Sequence, residues 1–487
     1  MTEPTVYELS APGRSGIDIP EPDVPKAALP DALLRGNNGL PELSQRDVVR
    51  HFLRLSQRNF GVDSGFYPLG SCTMKYNPKV IEESARLSGF ARSHPLQAPE
   101  IVQGNMALIF ELQDFLKEIG GFAGVSLQPA AGAQGEFTAL LMMRTYHADR
   151  GQGQRRQVLI PDSAHGTNPA SATMAGLDVL EIPSDCGGNI DLEALRAACD
   201  ETIVALMLTN PNTLGLFERN IQEVVDLVHG CGGLVYGDGA NMNALAGVAR
   251  PGDLGIDLMH YNLHKTFGTP HGGGGPGAGP LGASEELKDY LPGPIVAETP
   301  HASGEGCEYL PVLPPKSIGR TCTYFGNFGM FVRAYAYIRM HGAEGLRQNS
   351  MHAVLNANYL RCRLHDLYPV PYDRINMHEF VCQGRPEGSD VRAVDVSKRL
   401  MDYDFHPPTT YFPLIVPEAL MIEPTETESR ETLDAFVDAM CRIAEEARDN
   451  PELLRAAPHK TPVRRLDEVR AARQLVLCDS SVSDMAG

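Results

Sequence analysis

The stretch Tyr261–Pro280, YNLHKTFGTPHGGGGPGAGP, decides the fold. Lys265 sits just after an apolar run (Ile256, Leu258, Met259) and just before a glycine-rich loop. Upstream, Leu234, Val235 and Tyr236 form a second short apolar run that ends in Asp238. Short apolar runs bounded by turn residues read as buried strands of a parallel sheet. Such sheets bind ligands beyond the carboxyl ends of their strands. Asp238 and Lys265 are therefore expected to converge on one crevice. The four glycines Gly272–Gly275 lose much chain entropy on ordering. They suit a backbone that passes close to a ligand or flexes over it; a floppy linker is the competing reading.

The same pattern continues toward the N-terminus. Ile203 to Leu208 reads as a strand that runs into TNPNTLGLFE, with Thr209 and Asn210 at the crevice end. Ile221, Val224, Val225 and Val228 share one face of a helix. Gln157 to Ile160 is a strand that ends in PDSAHGTNPASA, which places His165 in a strand-end loop. Leu177 to Ile182 is a further strand, and Asp191 caps the helix LEALRAACD. PAAGAQGE (129–136) enters the helical run FTALLMMRTYHA. A Gly/Ala loop that opens a helix offers unpaired N–H groups and the positive end of the dipole, which suits a phosphate. Strand, loop and helix alternate from about 120 to 285, so the class is α/β with right-handed βαβ units in a mostly parallel sheet.

A lysine and a carboxylate at neighbouring strand ends, beside an anion-binding loop, match the needs of pyridoxal 5'-phosphate. Its aldehyde takes a lysine amine and its ring nitrogen an acidic partner. Each residue also has a plainer reading. Lys265 is otherwise an ordinary strand-end lysine, Asp238 an Asx-turn, and His165 a hydrogen-bonding loop residue, although an aromatic face there would stack on a flat ring. No GxxxxGK[ST] occurs, and no GxGxxG follows a first strand, so neither a P-loop nor a dinucleotide site is supported.

The chain has 487 residues, 43% of them hydrophobic, which is enough for two or three domains. The division expected is an N-terminal arm and helical segment (1–119), a large cofactor-binding domain (120–344) and a smaller α+β domain (345–487). The first part includes an amphipathic helix around Val48–Leu55 and GFYPLGSCTMKYNPK (65–79), an irregular, polar segment of the kind that lines sites. GPGAGPLGA and PVLPPKS after the lysine loop read as a long irregular passage. A net charge of −19 argues against nucleic acid as a partner. Ten scattered cysteines without a CxxC pair point to a reducing compartment and to no structural metal site. With no signal-peptide pattern and no apolar run of spanning length, a cytoplasmic protein without membrane contact is expected.

With these residues in view, the chain resembles the glycine cleavage system P-protein, subunit 2. The matching motifs are GFYPLGSCTMKYNPK at Gly65, GAQGE at Gly132, DSAHGTNPASA at Asp162, YGDGANMNA at Tyr236, NLHKTF at Asn262, SIGR at Ser317 and PTETES at Pro424. After SIGR the chain departs from the family form, with TCTYFGNFG where a basic residue and Ser are expected before Tyr. The resemblance implies a pyridoxal-phosphate enzyme of fold type I, a glycine dehydrogenase (aminomethyl-transferring). It implies decarboxylation of glycine and transfer of the aminomethyl group to the lipoyl arm of H-protein. It also implies a heterotetramer with two copies each of this chain and subunit 1. Carried onto this sequence, Lys265 is the residue that holds the aldehyde, Asp238 the pyridinium partner and His165 the stacking residue. Ala240 lies on the other ring face, Gly132, Ala133 and Gln134 hold the phosphate, and Thr209 and His264 complete the cofactor set. Two other readings stay open: a stand-alone amino-acid decarboxylase, and a non-catalytic subunit that completes another chain's site.

Overall fold

A computed structural model describes residues 3–34, 39–94, 96–271, 277–301 and 306–477. The glycine run Gly272–Gly275 lies outside the described residues. The chain forms two compact units, Met1–Gly65 with Ala456–Gly487, and Phe66–Arg455. In the first, the helix Gln45–Ser56 starts at Ser44, whose side chain accepts from the Asp47 N–H. Its Val49, Phe52 and Leu53 are exposed.

The second unit is built on a seven-stranded sheet: β1 (Gly124–Ser126), β2 (Gln157–Pro161), β3 (Asp178–Ile182), β4 (Ile203–Thr209), β5 (Leu234–Gly239), β6 (Leu258–Tyr261) and β7 (Leu281–Ala283). Their spatial order is β1-β7-β6-β5-β4-β2-β3. The pairs β2/β3, β2/β4, β4/β5 and β5/β6 are parallel, whereas β7 runs antiparallel to both β6 and β1. All seven residues of β4, IVALMLT, are buried, as expected of a central strand covered on both faces. Side chains of β2 alternate between two cores. Val158 and Ile160 pack with Leu140 and Met143 of the helix Gly132–Asp149, while Leu159 joins Leu108 and Leu112 of the helix Gln103–Gly120 on the other face.

The chain order places a switch point at β2 and β4. After β2 the chain turns to β3 on one side, and after β4 it turns to β5 on the other. The crevice of an open α/β sheet lies at such a point, beyond the carboxyl ends.

One reading of the sequence is corrected. The passage around GPGAGPLGA is not irregular throughout: it contains β7, which returns directly beside β6. An antiparallel neighbour needs only a turn, whereas a parallel one needs a crossover. Further on, Ile295–Pro300 (β8) pairs antiparallel with Cys307–Val312 (β9).

The long helix Phe328–Leu364 is broken at Gly342, whose φ of 63° is left-handed. It leads to an antiparallel sheet of Phe380–Gln383 (β10), Thr409–Thr410 (β11) and Ala419–Ile422 (β12), ordered β10-β12-β11. The helices Ala393–Asp402 and Arg430–Asp449 cover that sheet through Leu400, Phe436 and Met440.

Candidate active site

Register puts three polar residues in one row across the carboxyl edge: Thr209 of β4 pairs with Asp238 of β5, and Asp238 pairs with His260 of β6. Asp238 is buried. Its Oδ1 accepts the Ala240 N–H at 3.0 Å and lies 3.6 Å from His260 Nε2. His260 is fixed by the Tyr236 hydroxyl at Nδ1 and by Asn262 Nδ2 at Nε2, 2.6 Å away. Burial pushes the His260 pKa down to about 4 against the pull of Asp238, so the ring is neutral at neutral pH.

β6 ends in the helical turn Leu263–Thr266, which carries Lys265. The lysine is only 8% exposed. Among the described residues its Nζ makes no hydrogen bond and no ion pair. Glu136, His165, His260 and His264 lie within electrostatic reach of its amine, as do Cys72, Glu379 and Glu423. Gly268 closes the turn with φ 71°, and a Cβ there would collide with the Tyr337 ring.

His165 follows β2. Its Nδ1 lies 2.8 Å from Thr167 Oγ1, and that hydroxyl donates to Glu136 at 2.7 Å. Ser171 donates to the other Glu136 oxygen at 3.0 Å. Burial, then the charge of Asp238, raises the Glu136 pKa to about 7. Burial lowers the His165 pKa, so this ring too is held neutral.

The helix Gly132–Asp149 starts at Ala131 with no side-chain cap. Its first intrahelical bond is Gly135 N to Ala131 O, so the N–H groups of Gly132, Ala133 and Gln134 precede the ladder. A Cβ on Gly132 would fall 2.6 Å from Asn262 Oδ1 and 2.9 Å from His260 Nε2. The helix start therefore abuts the Asp238–His260 row because that position is glycine. The Gln134 side chain closes the loop, accepting from Ala130 N and donating to Thr321 O, both at 2.6 Å.

Every site residue expected from the sequence thus lies along this edge. Thr209 Oγ1 and His264 Nδ1 are buried without a hydrogen-bond partner. Burial, then the neighbouring His271, lowers the His264 pKa to about 3. Sequence reasoning did not single out Glu136, His260, Glu379 or Glu423. The signal for the last two is a charged residue at the end of an apolar strand, in HEFVC and LMIEP. The polar segment 65–79 does line the site. Ser71 N donates to Glu379, Thr73 Oγ1 to Glu423, and Lys75 Nζ to Thr266 O at 2.6 Å.

An uncapped helix start, an unpartnered buried lysine, a carboxylate one strand away and orphaned polar atoms between them fit pyridoxal phosphate. Fold and site are those of a pyridoxal-phosphate-dependent enzyme of fold type I. A family model described as aminotransferase class-V matches residues 136–281, and one described as glycine dehydrogenase, C-terminal domain, matches 349–459. The chain is 56% identical over 478 residues to a probable glycine dehydrogenase (decarboxylating) subunit 2 of Caldanaerobacter subterraneus subsp. tengcongensis, covering 97% of this chain and 98% of that one. It is 54% identical to the protein of the same description from Listeria innocua, over 98% of each. A crystal structure of glycine decarboxylase (P-protein) of the glycine cleavage system, in inhibitor-bound form, has the same fold. Its TM-score is 0.73 at 23% identity, over 85% of this chain and 93% of that one. The glutamate decarboxylase of Lactobacillus brevis also shares the fold, with a TM-score of 0.64 at 13% identity, over 89% and 96%. The chain belongs to the family of glycine dehydrogenase (decarboxylating) subunit 2.

Proposed function

We propose that this chain is the cofactor-bearing subunit 2 of a P-protein that decarboxylates glycine and passes the aminomethyl group to the lipoyl arm of H-protein. The observation that carries this reading is Lys265: buried, unpartnered, and one strand from Asp238 at the switch-point edge. Lys265 would hold the aldehyde, Asp238 would serve the ring nitrogen, and His165 and Ala240 would flank the ring. The N–H groups of Gly132, Ala133 and Gln134 take the phosphate, with Thr209 and His264 alongside. When bound, the cofactor supplies the electron sink for the pair left as carbon dioxide departs.

The chain's own residues hold that sink in place. The Ala240 N–H holds the carboxylate of Asp238, and the buried neutral ring of His260 stands 3.6 Å from it. Because His260 and His165 are neutral, neither places a positive charge that would compete for it. Glu136 fixes Thr167, and Thr167 fixes the His165 ring.

Subunit 1 is the partner implied by the family. Two copies of each chain, docking of H-protein and a cytoplasmic setting complete the proposal. Among the described residues no helix is long and apolar enough to cross a membrane. Carbon dioxide exchange into glycine tests it with purified components. Exchange is expected only with this chain, subunit 1 and lipoylated H-protein together. Exchange by this chain alone would instead indicate a stand-alone decarboxylase.

A further inference from the structure

Lys265 is also within electrostatic reach of a second group of buried ionisable residues, Glu379 and Glu423. In the small sheet Phe380 pairs with Ile422. Glu379 precedes the first and Glu423 follows the second, so the two carboxyls sit side by side where the strand pair ends. With His378 they form a cluster whose nearest polar atoms all lie within 4.8 Å of one another. His378 and Glu379 have no exposure and Glu423 has 1%. The Ser71 N–H donates to Glu379 Oε2 at 2.7 Å, and the Thr73 hydroxyl to Glu423 Oε1 at 2.5 Å. Glu379 Oε1, Glu423 Oε2 and both His378 nitrogens have no partner.

The segment that supplies these two donors also reaches the lysine turn. Lys75, two residues after Thr73, donates to the carbonyl of Thr266 at 2.6 Å and to Glu426 at 2.8 Å. Residues 71–75 thus hold the carboxyl pair and the Lys265 turn in one block.

Two carboxylates this close, out of water, cannot both be ionised. Burial raises Glu379 to about 7, against the Ser71 N–H and Lys265, and burial with the charge of Glu379 raises Glu423 well above the carboxylate range. The other charged or titratable groups facing the pair are Cys72, whose thiol burial keeps protonated, Glu426, which Lys75 neutralises, and His378, which burial and then Lys265 hold neutral with a pKa of about 3.

A lysine amine attacks a carbonyl only when neutral, and an aliphatic amine is overwhelmingly protonated at neutral pH. The amine must therefore lose a proton to a nearby base. We propose that Glu379 and Glu423 are the proton acceptor for the Lys265 amine, holding one proton between them and taking a second when the amine attacks the cofactor aldehyde. The proton leaves Nζ for a carboxylate oxygen and the nitrogen pair becomes free; the net charge of the three groups is unchanged. No direct ion pair joins Nζ to either carboxyl, so the proton crosses through a water or a rotation of the lysine side chain. The proposal rests on Lys265 as the residue that holds the aldehyde.

The test is the rate at which the full chain, stripped of cofactor, takes up pyridoxal phosphate, followed by absorbance from pH 6 to 10. Glu379→Gln and Glu423→Gln keep the side-chain shape and remove the base. Each is expected to load about tenfold or more slowly than wild type at pH 7 and to converge with it near pH 10. A merely structural change would slow loading by one factor at every pH, and that result overturns the proposal. Loading of both variants at the wild-type rate at pH 7 also overturns it. So does a stoichiometric divalent metal in the purified chain whose removal by a chelator changes loading, since the cluster would then be a cation site. Infrared spectra of the wild-type chain at pH 7 are expected to contain a buried protonated-carboxyl band that persists in each single variant, where burial keeps the remaining carboxyl protonated, and is lost when both are Gln, a readout that does not depend on loading; no such band contradicts the proposal. Lys265→Ala separates the two readings. If it forms the same covalent adduct as wild type, Lys265 itself has been misassigned.

Discussion

The ammonium of Lys75 donates a 2.6 Å hydrogen bond to the carbonyl of Thr266, the residue after Lys265. The same nitrogen pairs with Glu426 at 2.8 Å and sits 4.7 Å from the centre of the Tyr337 ring. Lys75 and Glu426 are both buried, with side chains 4% and 7% exposed. The N-terminal polar segment, the lysine turn and the C-terminal sheet region are thereby joined through one cation.

Removing that cation leaves a buried, unpaired carboxylate. Lys75→Met is expected to destabilise the chain by about 3–5 kcal/mol, read from urea denaturation. Lys75→Met with Glu426→Gln is expected to recover much of the loss. If the double variant is as unstable as the single, the pairing is not what Lys75 contributes.

The raised carboxyl groups give stability a definite pH dependence. Glu136 and Glu379 each have a folded pKa of about 7. Between the ordinary carboxyl value and 7 the folded state binds more protons than the unfolded one, so stability falls as pH rises through that window and levels off above it. At about 1.4 kcal/mol per pKa unit, each group accounts for roughly 3 kcal/mol. The buried neutral histidines His260, His264 and His378 act in the opposite sense up to about pH 6.5, so the carboxyl contribution is read as a difference in denaturation midpoints: from pH 5 to 8 the cofactor-free wild type is expected to lose stability relative to Glu379→Gln. A difference that does not change with pH would contradict the burial argument.

Gly132 is the closest approach of the uncapped helix to the Asp238–His260 row. Gly132→Ala places a Cβ 2.6 Å from Asn262 Oδ1, and overpacking of this kind costs about 1–3 kcal/mol. The displaced helix start is expected to weaken pyridoxal phosphate by roughly tenfold, measured by equilibrium titration. Unchanged affinity would remove the helix start from the phosphate site.

Asp238→Asn keeps the Ala240 N–H contact and removes the charge. The variant is expected to retain the cofactor yet lose about a hundredfold or more in carbon dioxide exchange, the usual loss when one preorganised electrostatic group is removed. Exchange within a few-fold of wild type would exclude Asp238 as the ring-nitrogen partner.

Much of this was legible in the sequence because strand runs and strand-end residues are local. The runs that became β2, β4 and β5 carry short continuous apolar stretches, and Thr209, Asp238 and Lys265 end or follow strands of the sheet. β7 was hidden because its three residues, Leu281–Ala283, sit among glycines and prolines and owe their pairing to β6 rather than to propensity. The neighbourhood of Glu379 and Glu423 was equally invisible. It arises from the β10–β12 register and from donors in residues 71–73, more than 300 positions away. The break in the long helix at Gly342 has no local signature beyond the glycine itself, and only its left-handed φ reveals it.

The central claim is a covalent link between pyridoxal phosphate and Lys265. Borohydride reduction of the cofactor-loaded chain, followed by peptide mapping, tests it most directly. The expected result is a single pyridoxyl label on the peptide containing Lys265, absent from Lys265→Ala. A label on any other lysine, Lys75 included, or bound cofactor that reduction leaves unattached, would contradict it.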